Sequence, residues 1–211
     1  MWKRHAGFDV VTYVGNGTVD HEVPHNLAKI PEMMWVKDIN RTGTDWMCYH
    51  KGLNGGILPY NRAILINHTD GEVNNYSHFG GAPTATNFTV GTSGSTNYNN
   101  DNMIAFLFAS VAGISKCGYY DGSSSAQTIT TGFSPRFLIL KNITDNSTGW
   151  VVLDTERGWA SGNDQMLNLN SFEAQNNFDN LGAPTSTGFT VSNVNAQWNA
   201  ANKKYIYYAH A

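Results

Sequence analysis

The sequence predicts an all-β protein made of two copies of one β-sandwich or jelly-roll-like unit, packed closely together. Strand-length runs of β-branched and aromatic residues alternate with clusters of Gly, Asn, Asp, Ser and Pro, the pattern of short strands joined by turns. No window keeps a helical period over the ~11 residues of an average helix. The stretch "GGAPTATNFTVG" from Gly80 recurs as "LGAPTSTGFTVS" from Leu181, which indicates a duplication.

The duplication extends through the chain. "IPEMMWVKD" from Ile30 matches "SPRFLILKN" from Ser134, and the runs that begin at Trp46 and Trp150 match at the same spacing. Both tryptophans begin a strand in register, so we expect them in the core. The units are predicted at residues 7–112 and 113–211, either as two sandwiches or as one larger sandwich with a pseudo-twofold axis.

Each unit is predicted to contain six main strands. In the first unit they are "FDVVTYV", "EMMWVKD", "DWMCYHK", "AILINH", "FTVG" and "NMIAFLFAS"; in the second they are "KCGYYD", "RFLILKN", "WVVLDT", "QMLNLN", "FTVS" and "KKYIYYAHA". "MMWV", "FLILK" and "IAFLF" are apolar on both alternating phases, which predicts central strands covered on both faces. The best helical candidate, "SFEAQNNFDN" from Ser171, is short and rich in Asn, so we expect at most one or two turns there.

Composition excludes several classes of protein. Charged residues make up 14% of the 211 residues and the formal net charge is −3. There is no basic run or nucleic-acid-binding motif, so nucleic acid is not an expected partner. No apolar run approaches ~18 residues, so membrane insertion is not expected. The first residues lack the apolar segment of a secretory signal. Cys48 and Cys117 lie in apolar stretches and are predicted to be buried thiols.

The sequence offers no catalytic or metal site. His21 and His25 have a zinc-like spacing, but a proline separates them in a strand or turn region. His68 and His78 flank a polar loop without a metal-binding motif. The oxygen-rich stretches "NYNNDN" and "HTDGE" are of the kind that calcium prefers, yet neither has EF-hand spacing. His50 matches Asp154, which indicates a polar strand end. Carboxylates are scattered, so no cofactor and no catalytic residue are predicted.

Ligand recognition is the remaining candidate function. Trp159, Trp198, Tyr60 and Tyr98 stand in stretches rich in Asn, Asp, Gln and Ser. An exposed ring beside such side chains is a platform for a sugar, because the ring supplies flat apolar area and its neighbours supply hydrogen bonds. These four residues are therefore the predicted ligand-binding residues. The alternative is that the rings fill gaps between units or subunits.

Several stretches together resemble a module common in tail-fibre and related virion proteins of tailed phages, especially marine phages. They are "GFDVVTYVGNG", "VPHNLAKIPEMMWVKD", "FASVAGISKCGYYDG", "TGFSPRFLILKN" and the final "YIYYA". The resemblance covers the chain from about Gly7 to Ala209, and it brings no catalytic residues with it. Such modules usually end longer fibre chains, whereas this chain begins with its own Met, so we expect a separately expressed virion protein or a cut-out domain.

The resemblance implies a non-catalytic virion protein, a tail fibre or appendage that attaches to host-surface glycans. It would be made in the host cytoplasm, would assemble with other virion proteins, and would form a homo-oligomer. Two alternatives remain open. One is a structural head-decoration or tail-assembly protein without a ligand. The other is a polysaccharide-degrading enzyme, which would need paired carboxylates facing a cleft.

Overall fold

The structure, a computed structural model, describes residues 7–192 and 195–211, with only the backbone at Phe178 and Asp179. In this part of the chain there are seventeen strands, one four-residue α-helix and three short 3-10 helices. The predicted all-β class is therefore confirmed. The chain divides into two compact units, which are Met1–Ile66 with Glu72–Ser110, and Asn67–Gly71 with Val111–Ala211.

The first unit contains an antiparallel six-stranded sheet and a two-stranded ladder. Its strands are β1 (Phe8–Val14), β2 (His21–Pro24), β3 (Met33–Asp38), β4 (Met47–His50), β5 (Arg62–Leu65), β6 (Val73–Asn74), β7 (Asn87–Val90) and β8 (Asn102–Phe108). The large sheet has the order β1-β8-β3-β4-β5-β6, and β2 pairs with β7 apart from it. The helix α1 (Gly94–Asn97) follows β7, and 3-10 helices cover Leu53–Gly56 and Pro59–Asn61.

The second unit repeats this arrangement. Its strands are β9 (Ser115–Asp121), β10 (Gln127–Thr130), β11 (Phe137–Asn142), β12 (Trp150–Asp154), β13 (Asn163–Asn168), β14 (Asn176–Asp179), β15 (Pro184–Thr185), β16 (Gly188–Val191) and β17 (Lys204–His210). The large sheet reads β9-β17-β11-β12-β13-β14, and the small one reads β10-β16-β15. A 3-10 helix covers Thr155–Arg157. Because the two large sheets share one strand order, the topology confirms the duplication.

Individual hydrogen bonds inside the first unit also recur inside the second. The hydroxyl of Tyr13 donates to the carbonyl oxygen of Thr96 at 2.5 Å, and the hydroxyl of Tyr120 donates to that of Trp198 at the same distance. The boundary after Ser110 lies two residues before the one expected from the sequence. In each unit the apolar core lies between the large and the small sheet, which is a sandwich.

The repeated stretch is a hairpin that closes each sandwich. Its second strand, β7 or β16, pairs with β2 or β10 and carries a phenylalanine into the core. Phe88 and Phe189 both have 0% of their surface exposed. The ring of Phe88 meets that of Tyr13 edge-on at 5.8 Å between centroids, and the ring of Phe189 meets that of Tyr207 at 5.3 Å. The frame recurs because each unit needs the same turn and the same buried ring.

Some details differ from the prediction. The short strands β2, β6, β10, β14 and β15 were missed, because two to four residues are too few to show alternation. The stretch from Ser171 contains no helix; its last residues form β14. Trp150 is buried as expected, whereas Trp46 is half-buried and stacks on Phe106 at 5.9 Å. Cys48 and Cys117 are free and buried, as expected, and burial raises the pKa of the Cys48 thiol.

Candidate functional site

The two tryptophans predicted as exposed platforms are buried. Trp159 and Trp198 each expose 1% of their surface and belong to the core of the second unit. The indole nitrogen of Trp159 donates to the carbonyl oxygen of Gly182 at 3.0 Å, so the ring satisfies its polar atom inside the protein. The prediction that these rings face solvent is therefore wrong. They pack within one unit.

The two predicted tyrosines differ from each other. Tyr60 is half-buried and packs against the core cluster of the first unit. Tyr98 is 41% exposed, but the guanidinium carbon of Arg41 lies 3.0 Å from its ring centroid. Arg41 also donates from Nε to Oδ2 of Asp101 at 2.7 Å. One face of the Tyr98 ring is thus occupied by a cation, which leaves less of it for a sugar.

A buried asparagine fixes the loops around the small sheet of the first unit. Asn97 is fully buried, and its Nδ2 donates to the carbonyl oxygens of Gly91 at 2.7 Å and Thr18 at 2.9 Å. Its Oδ1 accepts from the backbone nitrogen of Asn16 and from Nδ1 of His21, both at 2.9 Å. A side chain that joins three separate chain segments in this way holds their relative positions.

Asn199 has the same role in the second unit. Its Nδ2 donates to the carbonyl oxygen of Ser125 at 3.0 Å, and its Oδ1 accepts from the backbone nitrogen of Ser123 at 2.9 Å and from Gln127 Nε2 at 2.7 Å. Asn100 and Asn202, each three residues later, both adopt positive φ. These asparagines were not among the predicted functional residues. The signal was present, since the pair N-x-x-N occurs at matching positions in both halves.

A cleft in the first unit lies beside the repeated hairpin. It has a volume of about 200 Å³ and is lined by Val19, Asp20, Asn61, Tyr76, Ser77, Gly80, Gly91 and Thr92. The ring of Tyr76 is 74% exposed, the most exposed aromatic ring of the first unit's described residues. The volume is below the 300–1,000 Å³ of most small-molecule pockets, and it therefore suits one ring-sized group of a larger ligand.

The hairpin glycines shape this cleft. A Cβ on Gly91 would lie 2.4 Å from the carbonyl oxygen of Ser77, so only glycine allows these two backbone segments to approach. A Cβ on Gly80 would lie 3.2 Å from Oδ1 of Asp20, so that glycine leaves room for the carboxylate. Asp20 itself has a φ of 56°, a conformation that aspartate tolerates better than most residues. The backbone thus presents a carboxylate at the cleft.

The polar side chains of the cleft are free to bind a ligand. Within residues 7–192 and 195–211, the side chains of Asp20, Asn61, Tyr76 and Thr92 form no hydrogen bond with protein. They offer a carboxylate, an amide, a phenol and a hydroxyl. An exposed ring combined with uncommitted donors and acceptors is the arrangement that binds sugar hydroxyls and the apolar face of a sugar. None of these residues was predicted as a site residue.

His78 lies next to the cleft, and burial lowers its pKa to about 4, with Asp45 opposing the shift. Its Nε2 accepts from Nδ2 of Asn75 at 3.3 Å. Its buried Nδ1 has no hydrogen-bond partner within the described ranges. The folded protein therefore holds this imidazole neutral, and protonation of the ring favours the unfolded chain.

We expect the protein to lose stability in acid through His78. Between its ordinary pKa of 6.5 and the folded value of about 4, the unfolded state binds more protons, so the free energy of unfolding falls as pH falls. The loss reaches up to about 3 kcal/mol at the acid end of this window. Urea unfolding of wild type and His78→Gln from neutral pH to pH 4 measures it. The variant should show a shallower slope, and parallel profiles would contradict the assignment.

A second, wider depression in the first unit has an ion pair in its lining. It measures about 580 Å³ and is lined partly by Lys29, Glu32, Lys51 and Ser110. The carboxylate of Glu32 accepts from Lys51 Nζ at 2.6 Å and from the backbone nitrogen of Ser110 at 2.7 Å. Burial alone would raise the pKa of Glu32, but these donors outweigh it and hold the pKa below its usual value. The carboxylate of Glu32 is thus already engaged in hydrogen bonds within the protein.

The second unit has a basic residue, Arg136, at the position of Glu32, and Thr155 takes the position of Lys51. The backbone nitrogens of Glu32 and Arg136 make the same hydrogen bond, to the carbonyl oxygens of Phe108 and His210, each at 2.8 Å. Arg136 lies 3.8 Å from Asp154 and 3.9 Å from Glu156. Both units thus place an ion contact at this position although its residues differ, and we assign it to the structural scaffold and not to a ligand site.

The histidines and acidic loops considered as metal ligands have other contacts. Nδ1 of His21 lies 2.9 Å from Asn97 Oδ1, and Nε2 of His25 lies 3.2 Å from the carbonyl oxygen of Thr84. In the part of the chain that the structure describes, no three His, Cys, Asp or Glu side chains come together as a metal site. No helix of the described residues is long and apolar enough to cross a membrane.

Comparison with known proteins gives one match. The model of a protein family described as a domain of unknown function (DUF7483) matches residues 2–211. No curated protein matches the chain, and no solved structure matches it. The match spans both units, so the duplication lies within the family's own domain.

Proposed function

We propose that this chain, which belongs to the DUF7483 family, is a non-catalytic virion protein of a tailed bacteriophage that attaches to host-surface glycans. The virion assignment depends on the sequence resemblance to tail-fibre modules. The glycan assignment depends on the cleft of the first unit. One observation carries it: the exposed ring of Tyr76 stands beside polar side chains that make no hydrogen bonds within the described residues.

The chemistry of the cleft favours a neutral or weakly charged sugar. Tyr76 supplies a ring face for the C–H groups of a pyranose. Asp20 accepts hydrogen bonds from two adjacent hydroxyls, and Asn61 and Thr92 both donate and accept. The cleft holds one sugar residue, so a single site binds weakly. Several copies on one particle would raise the avidity without any new contact.

Replacing the ring should abolish most of this binding. We expect Tyr76→Ala to weaken the affinity for host-envelope polysaccharide roughly tenfold or more, since aromatic stacking and ring burial contribute about 1–3 kcal/mol. Biolayer interferometry on immobilised polysaccharide fractions measures it. Asp20→Asn should weaken binding as well, because the amide replaces one acceptor with a donor.

Tyr98→Ala is the matched control, since it removes an exposed tyrosine of the same unit outside the cleft. It should leave the affinity unchanged. Equal losses in Tyr76→Ala and Tyr98→Ala would contradict the cleft as the site. If wild type binds no envelope fraction yet remains attached to virions, the structural alternative, a decoration or assembly protein, replaces this proposal.

A further inference from the structure

The segment Asn67–Gly71 packs on the connection between β11 and β12. Asn67–Gly71 joins β5 to β6 in chain order but belongs to the second unit. There Nζ of Lys141 donates to the carbonyl oxygen of Thr69 at 2.9 Å. The backbone nitrogen of Gly71 donates to Oδ1 of Asn146 at 3.0 Å, and the Thr69 hydroxyl donates to the Asn146 carbonyl oxygen at 3.3 Å.

This contact is close, and its inner part is buried. A Cβ on Gly71 would lie 2.8 Å from the carbonyl oxygen of Ile143, so the segment approaches the β11–β12 connection backbone to backbone. Lys141 is fully buried and Ile143 is 2% exposed. Two elements therefore meet here. One is the loop between β5 and β6, and the other is the connection between β11 and β12 with its lysine and isoleucine.

The equivalent loop of the second unit is exposed. Leu169 occupies the position of Ile66, since their backbone nitrogens donate to the carbonyl oxygens of Trp150 and Trp46, each at 3.0 Å. The strands on either side pair in the same register, so the two loops have equal length and Phe172 occupies the position of Thr69. Phe172 is fully exposed and Leu169 is 40% exposed.

The equivalent connection of the first unit is exposed as well. Lys37 Nζ donates to the carbonyl oxygen and to Oγ1 of Thr44, at 2.6 and 2.5 Å, as Lys141 does to Thr148. An ammonium group has three protons, and within the described ranges Lys37 makes no third bond. Ile39, at the position of Ile143, is 57% exposed.

We propose that the loop at residues 170–174 of one copy docks on the connection between β3 and β4 of a second copy, as Asn67–Gly71 does within the second unit. The carbonyl oxygen of Phe172 takes the third proton of Lys37, and the apolar side chains of Leu169 and Phe172 cover Ile39. Glu173 corresponds to Asp70, whose negative charge attracts the ammonium group of Lys141. In the proposed contact, the carboxylate of Glu173 attracts the ammonium group of Lys37 in the same way.

The contact joins a loop of one copy to a connection of another, and two arrangements satisfy it. In a twofold dimer, the loop of each copy docks on the connection of the other, so both contacts form at once. In a head-to-tail arrangement, one loop and one connection stay open at the two ends of every dimer, and further copies add until a ring closes or a filament grows. A contact made by one short loop is at the weak end of protein interfaces, and we expect a dissociation constant of roughly 1 μM to 1 mM. The inference does not depend on the proposed glycan binding, although repetition would multiply the clefts.

Sedimentation velocity over about 1 μM to about 1 mM tests the proposal. Wild type should form dimers or larger species as concentration rises. Phe172→Asp and Ile39→Asp should each stay monomeric. An equimolar mixture of the two variants should stop at dimers, because one keeps an intact connection and the other keeps an intact loop. Phe172→Ser serves as a second loop variant.

Ile57→Asp is the matched control, since Ile57 is 69% exposed in the first unit, away from both surfaces in sequence. It should assemble as wild type does. A monomeric wild type at all concentrations would overturn the proposal. So would assembly that survives in both aspartate variants, or loss of assembly in Ile57→Asp. A change in thermal stability at constant monomer mass would place the loop contact within one chain, and that too would overturn it.

Discussion

Asn97→Ala is expected to lower the free energy of unfolding by about 3–5 kcal/mol, since several buried groups lose their partners at about 1–3 kcal/mol each. The side chain of Asn97 donates to the carbonyl oxygens of Thr18 and Gly91 and accepts from Asn16 and His21. Alanine removes all of these bonds and leaves the carbonyl oxygen of Gly91 buried without a donor. Such a loss is a large part of the 5–15 kcal/mol that stabilises a typical domain.

Urea unfolding monitored by tryptophan fluorescence measures this loss. Asn97→Asp should be as damaging as alanine, because a carboxylate oxygen would then face carbonyl oxygens that now accept hydrogen bonds. Asn99→Ala is the control, since Asn99 is exposed two residues away and should change stability by less than about 0.5 kcal/mol. If Asn97→Ala behaved like Asn99→Ala, the network would not hold the loops as described.

Phe88→Ala and Phe189→Ala are each expected to lower the free energy of unfolding by about 3–5 kcal/mol. Both rings are fully buried and close the sandwich of their unit. Alanine removes apolar area from the core and leaves a cavity that the surrounding strands fill only in part. We expect the two losses of stability to be similar, because the two rings occupy the same position in the repeated hairpin.

Calorimetry and denaturant unfolding of the two variants measure these losses. Phe172→Ala is the control; its ring is fully exposed at low protein concentration, so the stability of the monomer should stay within about 0.5 kcal/mol of wild type. A large loss for only one of the two core variants would show that the hairpins do not have equivalent roles. Trp159→Ala should lower the stability of the second unit in the same way, because this ring is also buried in the core. It should not act by removing a ligand contact.

The sequence predicted the fold class and the main strands because these depend on patterns that the duplication shows twice. Strands such as β3 and β11 are apolar on both faces, and their matching positions mark them as central. Strand β2 has only four residues and ends in Pro24, so no alternation can be recognised in it. The exposed Ile39 and the buried Ile143 have nearly the same local sequence, and only the tertiary structure separates them.

The site residues were harder to predict than the fold. Polar neighbours suggested that Trp159 and Trp198 are exposed, yet a tryptophan after a short 3-10 helix can fold inward once its indole nitrogen finds a carbonyl oxygen. The cleft was missed because its lining comes from four separate stretches, at residues 19–20, 61, 76–80 and 91–92. Sequence spacing does not bring such stretches together. The recurring Asn97 and Asn199 could have been found from the repeat alone.

The most direct test of the proposed site is an NMR titration of the ¹⁵N-labelled protein with oligosaccharides from the host envelope. We expect the backbone amide signals of Ser77, Gly80 and Gly91 to shift together and to saturate at one ligand concentration, while the indole signals of Trp159 and Trp198 stay in place. Shifts centred on the tryptophan indoles, or no shifts with any envelope oligosaccharide, would contradict glycan binding at the cleft of the first unit.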